Sequence, residues 1–259
     1  MRVASILEYD GSRFSGWQRQ DAVTTVQGCL EEALSKVANE TVSVTVAGRT
    51  DAGVHASGQV VHFDTSSQRS DYGWLRGTNS NLPNEIAVRW VGQVDSEFHA
   101  RYAATGRVYR YVILNRPVRP TYLAGRVTHD YRPLEVARMQ AGAQYLVGTY
   151  DFSSFRAAEC QARQPVRELR RLDITRQGEF VFIDAEANAF LHHMVRNIAG
   201  VLMGIGAGER EPDWAKEVLE ARDRTVGGIT APPDGLYLTV VHYPAKFGVP
   251  VLSAALGLW

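Results

Sequence analysis

The stretch Thr41–Thr65, TVSVTVAGRTDAGVHASGQVVHFDT, decides the fold. Val42–Ala47 is β-branched and reads as a strand, and Gln59–Phe63 (QVVHF) reads as a second one. Between them Gly48–Gly58 is a polar loop with glycines at 48, 53 and 58, so two strands follow one another with no helix between. Upstream, Val26, Cys29, Leu30, Ala33, Leu34 and Val37 share one helical face, and Thr24 with Gln27 resembles a capping box. Further upstream, strand Arg2–Tyr9 runs into the turn-rich DGSRFSGWQRQ. Downstream, Leu75–Leu82 reads as a short helix and Ile86–Val94 as a strand. The order is β-α-β-β-α-β.

The second half repeats that rhythm. Arg107–Leu114 (RVYRYVIL) alternates as a strand, and Pro133 opens a helix carrying Val136, Met139, Ala143, Leu146 and Val147, closed by Gly148. Strands Glu168–Thr175 and Glu179–Ala187 follow, joined by a turn at Gln177-Gly178. A helix from His192 to Met203 bears Val195, Ile198, Val201 and Leu202 on one stripe, and another runs from Pro212 to Arg222. Leu236–His242 (LYLTVVH) is the last strand. The expectation is an α+β fold of two ferredoxin-like halves sharing one extended antiparallel or mixed sheet, with helices on one face and a cleft for a polymer on the other. The halves are expected to meet near Ala104–Gly106, giving domains 1–104 and 105–245 and a C-terminal tail 246–259.

Composition narrows the function classes. A chain of 259 residues with 45% hydrophobic content is not disordered, and 2 cysteines do not make a disulfide scaffold. No apolar run approaches the ~18 residues of a membrane span. The N-terminus lacks the flanks of a signal peptide, so the Asn39-Glu40-Thr41 sequon is read as accidental. A soluble cytoplasmic protein with Cys29 and Cys160 as reduced thiols is expected. The net charge is zero, but the segment from Arg101 to Arg176 holds 14 Arg and 6 acids, a local +8 balanced by −8 elsewhere. The chain has 25 Arg and only 3 Lys. Arginine suits phosphate binding and base stacking, although a GC-rich genome would favour arginine too.

Three clusters of residues could do chemistry. In AGRTDAGVHASGQVVHFDT the glycines permit tight backbone geometry around Asp51, and Arg49 stands two residues before it. Two readings fit: a carboxylate oriented and kept ionised by Arg49, or an acid that caps a turn. In FHARYAATGRVYRYVI, from Phe98 to Ile113, four Arg or His residues mix with three Tyr, the composition of a surface that holds phosphates and stacks bases. Tyr109 and Tyr111 share one face of that strand and could equally be ordinary sheet residues. In NAFLHHMVRNIAG, Asn188–Gly200, the residues His193, Arg196 and Asn197 fall on the more polar helix side. His192 and His193 point about 100° apart, a poor pair for a metal, and no HExxH or CxxC accompanies them. The Gly204–Gly208 run follows a helix, so it reads as a helix terminus and not as a dinucleotide loop. A single carboxylate beside an arginine- and tyrosine-rich surface points to cofactor-free chemistry on a nucleic acid. A binding module without activity and a base-removing glycosidase are the competing classes, and the latter ordinarily needs two carboxylates.

Together GRTDAGVHASGQVVHF, YDGSRFSGWQRQ, FHARYAATGRVYRYVI, NAFLHHMVRNIAG and PPDGLYLTVVHYP resemble the tRNA pseudouridine synthase A family, from about Val3 to Pro244. The resemblance implies an isomerase that converts uridine to pseudouridine at positions 38, 39 and 40 of the tRNA anticodon stem-loop. It implies Asp51 as the catalytic aspartate and Arg49 as the arginine that helps extrude the uridine. Tyr109 would lie against the target base, Arg196 would pair with the aspartate, and Leu236 would line the pocket. It further implies a homodimer that binds tRNA and uses no cofactor, metal or guide RNA.

Overall fold

The computed structural model describes residues 1–158, 160, 162 and 164–252. Glu159 and Arg163, both counted in the basic segment, and tail residues 253–259 lie outside the described residues. The chain is α+β and forms two compact units, one of residues 1–105 with 237–252 and one of residues 106–236, among the described residues.

In the first unit, β1 (Arg2–Tyr9) lies between β3 (His55–Asp64) and β4 (Ile86–Val94), antiparallel to both, with Ile6 opposite Val60 and Trp90. Val3, Ala4, Ile6 and Leu7 are buried, as expected of a strand covered on both faces. The short β2 (Thr45–Val46) pairs with β3 through Thr45↔His62. The last strand, β10 (Leu236–His242), runs parallel to β3 with Tyr237 opposite His55. At Gly58 a Cβ would lie 2.1 Å from the Thr239 carbonyl oxygen, so only glycine admits this approach.

Helices α1 (Val26–Ala38) and α2 (Asp71–Asn79) pack together, and α2 packs on β4. The cap of α1 is Thr25, which accepts the Gly28 N–H at 3.3 Å, one residue later than the expected Thr24. The Thr24 carbonyl instead accepts the Ser15 N–H. α2 begins earlier than Leu75 because the Ser70 hydroxyl caps the Gly73 N–H at 3.1 Å. The strand expected over Val42–Ala47 shrinks to two residues because α1 takes its amides. The Val42 N–H donates to Ser35 Oγ at 2.9 Å and the Val44 N–H to Glu31 Oε1 at 3.0 Å.

In the second unit, the sheet order is β5 (Gly106–Asn115), β9 (Phe180–Ala187), β8 (Val166–Gln177) and β7 (Gly148–Asp151), all antiparallel neighbours. β6 (Thr128–Asp130) runs parallel to β5. The β8–β9 turn is at Gly178, whose φ is +58°. Helix α3 covers Val136–Gln144 only. The Leu134 N–H donates to Asn115 Oδ1 and the Glu135 N–H to the Gly206 carbonyl, which holds the chain before α3 out of the helix. Gly148 is not the C-cap; its φ of +137° opens β7. Helix α4 (Met194–Gly206) packs on α3, and α5 (Trp214–Ala221) follows. No helix among the described residues is long and apolar enough to cross a membrane.

Candidate active site

Asp51 sits half-buried on the loop between β2 and β3, and the backbone around it is clamped from two sides. Within the loop, the Val54 N–H donates to the Asp51 carbonyl at 3.1 Å, and Gly53 takes a φ of +80°. From the segment after β1, the Trp17 N–H donates to the Thr50 carbonyl at 3.0 Å. Gly16, at φ +84°, lies so close that a Cβ would stand 3.0 Å from Thr50 O, 3.1 Å from Ala52 N and 3.2 Å from Asp51 C. The Gly11 N–H donates to His55 Nδ1 at 3.0 Å, and a Cβ on Gly11 would lie 2.0 Å from the Val54 carbonyl oxygen. His55 in turn stacks on Tyr237, ring centroids 4.6 Å apart.

Beneath the loop runs a buried polar network. Tyr9 Oη and Thr50 Oγ1 are 2.8 Å apart, and Gln59 Nε2 donates to Tyr9 Oη at 3.3 Å and to the Gly48 carbonyl at 2.7 Å. Tyr9, Thr50 and Gln59 are all buried. Burial pushes the Tyr9 phenol up to about 12, so it is a neutral donor and acceptor at working pH. Both flanks of Arg49-Thr50 are therefore pinned. Arg49 itself is exposed and makes no hydrogen bond or ion pair among the described residues, so the expected charge-assisted bond to Asp51 is not formed. Main-chain bonds, not Arg49, set the backbone that carries this aspartate.

The second unit carries the other expected residues. Tyr109 on β5 is 9% exposed, opposite Ala185, with its ring edge-on to Phe190 at 5.1 Å. Tyr111, on the same face, is fully buried. Its hydroxyl donates to the Pro232 carbonyl at 2.8 Å and shares a hydrogen bond with Thr128 Oγ1, and burial raises its pKa. Of the two tyrosines, Tyr111 is thus a core residue. On the opposite face Arg110 makes a two-pronged pair with Asp184 at 2.7 and 2.8 Å, which raises the arginine pKa further.

Arg196 lies in the first turn of α4, where Nε donates to the Ala231 carbonyl at 2.9 Å and the Arg196 carbonyl accepts the Ala231 N–H at 3.1 Å. The α4 N-cap, His193, has φ +62°, and its ring lies 4.1 Å from that of His192. Asn197, expected on the polar side, is fully buried. It donates to the Phe155 carbonyl at 2.7 Å and accepts from Thr230 Oγ1 at 2.7 Å and Arg224 Nη2 at 3.1 Å. Those bonds pin the chain 224–231 that holds Arg196. At Gly200 a Cβ would meet the Ile229 carbonyl oxygen at 1.9 Å, which makes that packing possible only with glycine. Leu236 is buried at the start of β10, its N–H donating to the Pro233 carbonyl at 2.9 Å.

Folding also redistributes the basic segment. Arg110, Arg116, Arg132, Arg138, Arg170 and Arg171 form ion pairs, with Asp184, Glu179, Asp130 and Glu209, Glu211, Glu168, and Asp173 and Glu186 respectively. Much of the local excess in the linear sequence is thus matched by acids, many of them beyond residue 176. The sequence reading missed Tyr9, Gln59 and Arg224 as supports and placed the buried Asn197 on the polar side. Their only signal there is the density of glycines at 11, 16, 53 and 200 beside them.

Comparison with known proteins identifies the family. A family model described as tRNA pseudouridine synthase matches residues 6–103 and 143–244, which includes the Asp51 loop, α4 and β10. A protein of Nitrosococcus oceani named tRNA pseudouridine synthase A is 58% identical over 259 residues, the whole of both chains. Proteins of the same name from Coxiella burnetii (57% over 249 residues, 96% of this chain and 95% of the relative) and Pseudomonas aeruginosa (58% over 250 residues, 96% and 88%) are similar to it as well. With a family model over more than half of the chain and identity at this level along the full length, the chain belongs to the tRNA pseudouridine synthase family.

Proposed function

We propose that this chain is an isomerase converting uridine to pseudouridine at positions 38, 39 and 40 of the tRNA anticodon stem-loop, with Asp51 as the catalytic nucleophile. The observation that carries the reading is Asp51 on a glycine-framed loop whose backbone is clamped by main-chain bonds, in a member of this family. The reaction breaks the N1–C1′ bond, turns the uracil within the pocket and joins C5 to C1′. A proton then leaves C5, with Tyr109 or an ordered water as its acceptor. No group is oxidised or reduced and no atom is gained; that the reaction uses no cofactor, metal or guide RNA is what the family resemblance implies. Asp51 acts either at C6 of the ring or at C1′.

A uridine within a stem must first leave the stack, at a cost of a few kcal/mol. Arg49, exposed and without a bond to Asp51, is suited to enter the space the base vacates. Tyr109 is suited to stack on the base, a contact worth ~1–3 kcal/mol. Arg196 is assigned to pair with the aspartate and Leu236 to line the pocket. In this reading residues 1–104 supply the acid, residues 105–245 supply RNA-binding and pocket residues, and the enzyme works as a cytoplasmic homodimer.

The test is tritium release from tRNA carrying 5-³H-uridine. The wild-type chain releases tritium and yields no free uracil, whereas Asp51→Asn releases none and binds tRNA within severalfold of wild type. Absence of release at stoichiometric wild-type protein would reduce the chain to an RNA-binding module, and free uracil would make it a glycosidase.

A further inference from the structure

A rigid display of arginine, tyrosine and histidine stands at the end of β3 opposite the Asp51 loop. Phe98–Ala103 forms a tight turn in which the Ala103 N–H donates to the His99 carbonyl at 2.9 Å. Its centre, Ala100, is fully buried and held by two side chains. Its N–H donates to His62 Nδ1 at 3.1 Å, and its carbonyl accepts the Tyr243 hydroxyl at 2.6 Å. Phe98, also fully buried, packs against Tyr243 and Phe247 at 5.0 and 5.4 Å between ring centroids. His99 Nδ1 accepts the N–H groups of both Arg101 and Tyr102 at 3.2 Å, which fixes its ring.

On this base sit the displayed groups. The Tyr102 ring lies 4.3 Å from the His99 ring, which itself lies 4.9 Å from that of His62. The Arg101 guanidinium carbon is 5.6 Å from the Tyr102 centroid, within cation–π range. Yet Tyr102 is 76% exposed. An aromatic ring so well anchored and so little covered spends no apolar area on the core. The neighbouring acids are matched, Glu97 by Lys246 at 3.2 Å and Asp64 by Arg2 at 2.8 Å, which leaves the turn without an unpaired carboxylate from either residue. Exposed aromatics beside guanidinium planes and histidine are the chemistry that stacks unpaired nucleobases and holds phosphate.

Position decides what this platform can touch. It rests on His62, seven residues along β3 from His55, or roughly 23 Å of strand at ~3.3 Å per residue. Asp51 precedes His55. A nucleotide on Tyr102 therefore cannot be the one that reacts at Asp51. The geometry points to a second RNA subsite on the first unit, in which Tyr102 stacks an unpaired base of the substrate RNA several nucleotides from the target uridine, with Arg101 on its phosphate. This rests on the tRNA reading above.

The experiment compares an unmodified tRNA transcript with a short RNA hairpin carrying the same target uridine. Tyr102→Ala is expected to weaken tRNA binding about 5- to 150-fold, the range spanned by loss of one stacked base, with Tyr102→Trp restoring it. Arg101→Ala should lower the slope of log affinity against log salt by about one. Binding of the short hairpin should stay within twofold, and Tyr72→Ala, an exposed tyrosine on α2, serves as the control. Unchanged tRNA affinity in Tyr102→Ala overturns the subsite, and so does an equal loss on the hairpin, which would place the base beside the reacting uridine. Tritium release by the wild-type chain is measured in parallel, so failure of the enzyme reading shows as no release and failure of the subsite as release with unaltered binding.

Discussion

Tyr9 Oη lies 2.8 Å from Thr50 Oγ1 inside the first unit, one residue before the aspartate assigned to chemistry. The bond joins the end of β1 to the start of the Asp51 loop, and Gln59 on β3 ties both to the Gly48 carbonyl. Three chain segments thus set the height of Asp51 through one buried cluster. Tyr9→Phe keeps the ring but leaves Thr50 Oγ1 and Gln59 short of a partner, at a cost of ~1–2 kcal/mol in stability. A slightly misplaced reacting group loses far more in rate than in binding. The turnover number for pseudouridine formation should fall about tenfold while tRNA affinity stays within threefold. An unchanged turnover number would make the cluster a purely structural feature.

Gly16 and Gly178 both adopt positive φ, +84° and +58°, but only Gly16 is crowded, by the backbone of Thr50, Asp51 and Ala52. Gly178 has nothing within 4 Å of its would-be Cβ. Gly178→Ala should therefore cost ~1–2 kcal/mol from backbone strain alone, with activity preserved. Gly16→Ala adds contacts of 3.0–3.2 Å to the Asp51 loop and should cut activity more than tenfold. Urea midpoints and tritium release on the two variants separate strain from displacement, and equal activity in both would refute the clamp.

The parts of this fold that could be read in the sequence are those set by local pattern. β1, β4 and β10 begin and end where the sequence pattern does, β1 and β10 because a strand covered on both faces is a near-continuous apolar run, β4 because its half-buried face alternates. Boundaries fail where a distant group takes the backbone bonds. Glu31 and Ser35 shorten β2, and Asn115 and Gly206 delay α3, whereas α2 starts early on a local cap, Ser70. The site divides in the same way. Asp51 and its glycines announce themselves within the eleven residues Gly48–Gly58, whereas Tyr9, Gln59 and Arg224 become supports only through contacts 6 to 50 residues apart in the chain. Arg49 illustrates the opposite error, since proximity in sequence to Asp51 produces no bond.

Asn197 is the corresponding support in the second unit. Its amide is fully buried and satisfied by Phe155, Thr230 and Arg224, so Asn197→Ala removes one partner each from a carbonyl, a hydroxyl and a guanidinium. A loss of ~2–4 kcal/mol is expected from the unmade bonds and the small cavity. The chain 224–231 should loosen and release the Ala231 carbonyl from Arg196. Amide hydrogen exchange at Ala231, whose N–H is bonded to the Arg196 carbonyl, should accelerate beyond the global change. Uniform acceleration across the unit would show that Asn197 stabilises the fold without bearing on Arg196.

His62 sets an acid limit on the first unit. Burial, with Arg2 and His99 nearby, lowers its pKa from 6.5 to about 4. The neutral ring is the form that accepts the Ala100 N–H. The unfolded chain takes up this proton near pH 6.5 and the folded chain only near 4, so the contribution of His62 is complete above 6.5 and is lost as pH falls toward 4. The lost stability is at most ~3 kcal/mol, at about 1.4 kcal/mol per pH unit. His62→Gln retains an acceptor for Ala100 but cannot titrate. Its urea midpoint should therefore change less than that of wild type between about pH 7 and pH 5. Parallel curves for the two proteins would mean that the acid limit lies with carboxylates, such as Asp64 beside Arg2, and not with this histidine.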